Sequence, residues 1–85
     1  MIDVAITEFF KRILNEDAFL GDEGKLHIMD FNLDHVWDNT EASTELYCEF
    51  LVAYCESLDY DFSGLYTFEL NEAGRKVVDE FWPHG

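Results

Sequence analysis

In the ten residues from Leu46 to Cys55, LYCEFLVAYC, only Glu49 is neither apolar nor a polar-tipped aromatic. A run this apolar predicts burial. Extended back to Thr40 and forward to Leu58 it contains no Gly or Pro, and its helix-forming residues predict a helix of about five turns. At about 100° per residue, Glu41, Glu45, Glu49 and Glu56 fall within an arc of roughly 80°. The expected element is therefore a core helix that shows solvent one narrow row of carboxylates.

The other segments must supply this helix with partners. A chain of 85 residues buries only about 60% of its unfolded surface, which supports one core and predicts a single acidic globular domain over 1–85. Hydrophobic residues make up 48% of it, with eight Phe, four Tyr and two Trp, far more apolar material than an acidic disordered tail carries. It is expected to fold. Residues 2–14 place Ile2, Ile6, Phe9, Phe10, Ile13 and Leu14 at helical spacing, with Asp3 at the favourable end of the dipole and Glu8 and Arg12 as an outer i, i+4 pair. Gly21 and Gly24 flank Asp22 and Glu23 in a turn, and 25–31 (KLHIMDF) has the β-branched and aromatic content of a strand. Residues 32–39 fit either a helical turn, through Leu33, Val36 and Trp37, or a short strand in which His35 and Trp37 share a face; the strand is the favoured reading. Asp38 with Glu41 has the spacing of a capping box, and Thr40 is a second candidate cap. Residues 65–70 (LYTFEL) alternate as a strand, and Asn71 caps a last helix through Trp82, with Ala73, Val77, Val78, Phe81 and Trp82 inward and Pro83 as its stop.

The order α-β-(β)-α-β-α predicts an α+β fold, three helices packed on a small two- or three-stranded antiparallel sheet. A helical bundle decorated by a hairpin is the alternative.

Residues Asp59 to Gly64 (DYDFSG) resemble the first six positions of an EF-hand loop, where oxygens at positions 1, 3 and 5 (here Asp59, Asp61 and Ser63) face the ion and Gly makes the turn. The twelfth position, a bidentate Glu in such loops, is Leu70. An Asx-rich turn leaving the helix is the favoured reading, with a weak calcium-binding module as an alternative. No metal or cofactor is otherwise expected. Cys48 and Cys55, about 10 Å apart along one helix, are too far apart to bridge and read as reduced core thiols. His27, His35 and His84 lack an orienting partner and nucleophile in any local signature, and the five glycines form no phosphate loop. The chain is not expected to be an enzyme. Met1 is followed by an amphipathic pattern rather than a leader, and no run of 18 apolar residues occurs, so a cytoplasmic, non-membrane protein is expected.

The charge distribution carries the functional expectation. Asp and Glu number 19 against 5 Lys and Arg, a formal net charge of -14. Lys and Arg occur only at 11, 12, 25, 75 and 76, so the 49 residues from Leu26 to Gly74 have none and hold eleven acids, among them Asp30, Asp34, Asp38, Glu41, Glu45, Glu49 and Glu56. An ordinary solvated face interleaves both signs to limit self-repulsion. This field repels nucleic acid and anionic lipid, and the carboxylates on the central helix recur about every 6 Å, close to the separation of successive phosphates on one nucleic-acid strand. A basic protein that holds nucleic acid, such as a nuclease, is the expected partner, with these seven acids as the contact set. In size, charge and compactness the chain is similar to phage anti-restriction and anti-CRISPR proteins and to immunity proteins that neutralise nuclease toxins. That resemblance implies a non-enzymatic inhibitor acting as a nucleic-acid mimic. An acidic accessory or regulatory subunit of a larger complex is the alternative. The oligomeric state stays open.

Overall fold

The computed structural model describes residues 4–82. Helix α1 (Val4–Leu14) is followed by β1 (Phe19–Leu20), a single 3-10 turn, β2 (Lys25–Met29), α2 (Asp30–Leu33), α3 (Glu41–Tyr54), β3 (Cys55–Asp61), β4 (Leu65–Leu70) and α4 (Glu72–Phe81). The fold is α+β, with four helices and a four-stranded antiparallel sheet of order β1-β2-β4-β3 among the described residues. The expected counts of three helices and two or three strands were each too low.

The sheet has one covered and one open face, as its alternation requires. Register pairs Leu26 with Phe68 and Phe68 with Leu58, which puts these residues on one side, while His27, Thr67 and Asp59 share the other. On the covered side Leu26, Ile28, Phe68 and Leu70 are fully buried against Phe9, Phe10 and Ile13 of α1, Phe50 of α3 and Val78 of α4. Phe50 is the centre. Its ring lies 4.9 to 6.5 Å from those of Phe9, Phe10, Tyr47, Tyr54 and Phe68. Thr7 and Tyr54 share a hydroxyl hydrogen bond of 2.7 Å that ties α1 to the end of α3.

The largest departure from the sequence reading is at the end of the central helix. Helix α3 stops at Tyr54 instead of continuing to Leu58, and the chain passes without a loop into a seven-residue strand. Asn71 makes the stop. Its backbone N–H donates to the Tyr54 carbonyl at 2.9 Å and its side-chain amide to the Ala53 carbonyl at 3.0 Å, satisfying two carbonyls that a longer helix would use itself. The same side chain accepts from Gly74 N–H at 2.8 Å and so caps α4.

Residues 59–64 are consequently not a turn leaving a helix. Asp59 and Asp61 belong to β3, and the reversal is the short loop Phe62–Ser63–Gly64, closed by Gly64 N–H donating to the Asp61 carbonyl at 2.8 Å. Gly64 has φ +88°, the left-handed conformation that such a hairpin loop asks of its last residue.

Other corrections are local. The strand expected over 25–31 ends at Met29, and the short helix α2 with a turn over 34–36 replaces the strand favoured for 32–39, because Leu33 and Val36 both reach the core while His35 turns out to Glu16. Trp37 stacks on Tyr47 at 4.8 Å and donates its indole N–H to Thr44 at 2.9 Å. Glu8 pairs with Lys11, at 4.0 Å, rather than with Arg12. Cys48 is exposed and Cys55 half-buried, so only the second is a core thiol; burial pushes its pKa up to about 12, and both are free. The expected helix positions Ile2 and Asp3, and Pro83 and His84, lie outside the described residues.

Candidate acidic interaction surface

Helix α3 presents the carboxylate row it was expected to present, over a shorter length. Glu41, Glu45 and Glu49 are exposed at i, i+4 spacing, and the same outer side continues through Cys48 to Val52, which is 84% exposed. The opposite side holds Tyr47, Phe50 and Tyr54 in the core. The run from Leu46 to Cys55 is therefore buried on one side only. Glu56 does not extend the row. It sits in β3 at an irregularity where the pairing register shifts between Cys55 and Ser57.

The other acids separate into distinct settings. Asp38 is committed to the start of α3: its Oδ1 accepts from the Ser43 and Thr40 hydroxyls, each at 2.7 Å, and from the Thr40 N–H at 3.1 Å, while Thr40 itself is the cap, accepting from Ser43 N–H at 3.2 Å. The capping-box role expected of Asp38 with Glu41 thus passes to Thr40, with Asp38 bracing it from two residues upstream. These donors, Ser43 first, hold the Asp38 carboxyl at about 2. Asp30 opens α2 and Asp34 follows its last residue; the Tyr60 hydroxyl of β3 donates to Asp30 at 3.4 Å. Desolvation of the phenol and the Asp30 carboxylate raise the Tyr60 pKa. The Asp30 backbone N–H donates to the Gly64 carbonyl at 2.7 Å, fastening α2 to the β3–β4 loop.

A depressed folded-state pKa contributes stability above the ordinary carboxylate range that is lost as pH falls toward the folded value. Asp38→Ala is therefore expected to lower the melting temperature at neutral pH, with the gap to the wild type closing between about pH 4 and pH 2. A gap that stayed constant over that range would show that the ionised carboxylate is not what braces the cap.

Cations do not answer the row. Among the described residues the ion pairs join Glu8 to Lys11 and Glu23 to Lys25, Glu16 shares a hydrogen bond of 2.6 Å with the His35 ring, and Arg75 donates to the Glu23 carbonyl at 3.2 Å. Glu41, Glu45 and Glu49 have no Lys or Arg within pairing distance among these residues. Lys11, Arg12, Arg75 and Lys76, on the two helices packed against α3, are all exposed.

For a metal site, Asp59 and Asp61 stand two apart on the open face of β3, and Asp61 Oδ1 accepts from Ser63 N–H at 3.4 Å. No group of three or more His, Cys, Asp or Glu side chains able to hold a metal ion forms among the described residues. His27 bonds Thr67 at 2.9 Å and stacks on Phe19. No helix among the described residues is long and apolar enough to cross a membrane.

The sequence reading missed the edge strand. The signal was present in Ser57-Leu-Asp-Tyr-Asp61, where Leu58 and Tyr60 alternate with Ser57, Asp59 and Asp61, a period of two that the preceding helical run obscured. No family model, curated protein or solved structure matches this chain.

Proposed function

We propose that the protein is a non-enzymatic acidic inhibitor that occupies the nucleic-acid-binding surface of a basic protein, in the manner of anti-restriction, anti-CRISPR or nuclease-immunity proteins. The observation that carries this reading is the row Glu41, Glu45 and Glu49 on a helix anchored by the aromatic core, exposed along its length and without cationic partners among the described residues. Rigid carriage matters, since a mimic of a phosphate strand must hold its charges in a fixed spacing to gain from a preformed basic channel. Long-range attraction steers the encounter, and close pairs set the residence time. Asp30 and Asp34 supply a second acidic surface beside Tyr60. Asp38 is not part of the contact set in this reading, because its carboxylate serves the helix start.

Capture from a nuclease-treated lysate, followed by competition with an oligonucleotide for the captured protein, tests the proposal. A nucleic-acid-binding protein retained after nuclease treatment, released by salt and displaced by oligonucleotide is the expected result. The variant E41Q/E45Q/E49Q should melt within a few degrees of the wild type, since exposed like charges at i, i+4 repel. It should bind that partner about tenfold or more weakly and with a shallower salt dependence. Wild-type affinity and salt slope in this variant would remove the α3 row from the interface, and co-purification with a stoichiometric complex lacking nucleic-acid-binding members would replace the inhibitor by a subunit.

A further inference from the structure

A separate surface is formed by strand β3. It is the last strand of the sheet and pairs only with β4, and the backbone bonds to neighbouring elements along it involve its ends: Cys55 N–H to Leu51 and the Asp61 carbonyl to Gly64. From Glu56 to Asp61 every residue is exposed. The outer backbone groups of this stretch have no strand partner among the described residues, which makes a template for an added strand.

The two sides of that template differ in chemistry. Cross-strand register places Leu58 opposite Phe68 and Tyr60 opposite Tyr66 on the helix-covered side, and Ser57, Asp59 and Asp61 opposite Glu69, Thr67 and Leu65 on the open side. Asp59, Tyr60, Asp61, Phe62, Leu65 and Thr67 line a groove of about 390 Å³ at the Asp61 end of the strand. Phe62, in the adjoining loop, is wholly exposed.

We propose that the β3 edge receives an extended basic segment of a partner protein, added as a fifth strand, in which Lys or Arg alternates with apolar residues. The basic side chains lie beside Asp59 and Asp61, and the apolar ones continue the row of Leu58 and Tyr60. Charge chooses this occupant over a second copy of the chain. Pairing two β3 edges would bring Glu56, Asp59 and Asp61 of each against those of the other, on chains that each carry a net charge of -14. The same carboxylates that guard the edge against self-association select a cationic strand. This surface is distinct from the α3 row and stands or falls separately from it.

The test uses a capped nine-residue peptide alternating Lys and Val, with an alternating Lys and Pro peptide of equal length and charge as the control that cannot join a ladder. The Lys-Val peptide should bind at least about tenfold more tightly than the Lys-Pro one, the difference being a row of backbone hydrogen bonds. It should slow amide hydrogen exchange within Glu56–Asp61. D59N/D61N should weaken it about tenfold, whereas E41Q/E45Q/E49Q should change it less than about twofold at physiological salt, where charges beyond about 8 Å are screened. Equal binding of the two peptides, exchange protection confined to α3, or dimerisation of the chain through β3 without peptide would each overturn the proposal.

Discussion

Replacing Phe50 by alanine is expected to lower the unfolding free energy by about 3 to 5 kcal/mol, the range for removing a fully buried aromatic ring whose cavity cannot collapse. The site has little means of collapsing. Phe50 is 0% exposed, and the five rings around it come from α1, α3 and β4, each of which is held in place by other contacts. Edge-on packing against Phe10 and Phe68 adds a favourable aromatic geometry that alanine forfeits as well. Urea melts of the variant and the wild type give the difference directly. The carboxylate row is untouched, so any loss of partner binding by folded F50A protein would point to misplacement of α3 rather than loss of charge. A cost below about 1 kcal/mol, the scale of a surface change, would mean that Phe50 is not at the centre of the core.

The second large effect concerns Gly74, where two general rules oppose each other. A glycine in a helix is usually worth about 1 kcal/mol less than alanine, so Gly→Ala in α4 would ordinarily stabilise. Here a Cβ would press on the backbone carbonyl oxygen of Tyr54 and stand 3.2 Å from the Leu70 side chain. Backbone cannot move aside as a flexible side chain does. That carbonyl also accepts the Asn71 N–H, so relief of the clash would break the joint between α3 and α4. The overpacking term, about 1 to 3 kcal/mol and sometimes more, exceeds the propensity gain, and Gly74→Ala is expected to be destabilising on balance. Calorimetric melts should show a lowered transition temperature. An unchanged or raised one would mean that α4 sits farther from Tyr54.

Much of this architecture was legible in the residues, and the failures share a cause. Helix α1, strands β2 and β4 and helix α4 with its Asn71 cap were each announced by a local pattern that agreed with its surroundings. The end of α3 was not, because what stops it is Asn71, seventeen residues after Tyr54 in the chain and beside it only once β4 has paired. Local propensity from Tyr54 to Leu58 offers no breaker, and tertiary hydrogen bonds overrode it. Residues 32–39 failed for the reverse reason: Leu33 and Val36 suit a helical turn and a strand alike, and the position of the core decides between them. The acidic row survived the shortening of its helix because Glu41, Glu45 and Glu49 all precede the break. Glu56 and Asp38 did not remain with it. One lies beyond the break, and the other is held by hydroxyl groups that a charge count cannot see.

The loop-free passage from Tyr54 to Cys55 couples two periodicities across a single peptide bond. An extra residue inserted within α3 would rotate the part of the helix before it by about 100° relative to the part after it, and one inserted within β3 would exchange the strand's two sides. Either change sets the α3 glutamates and the β3 aspartates out of phase with the shared core, whereas exchanging one exposed side chain for another leaves the phase intact. Along Thr40–Gly64 the length of the chain is therefore constrained more tightly than its exposed residues. Related sequences would be expected to vary freely in which acids they carry there and hardly at all in how many residues separate the Thr40 cap from the Gly64 turn.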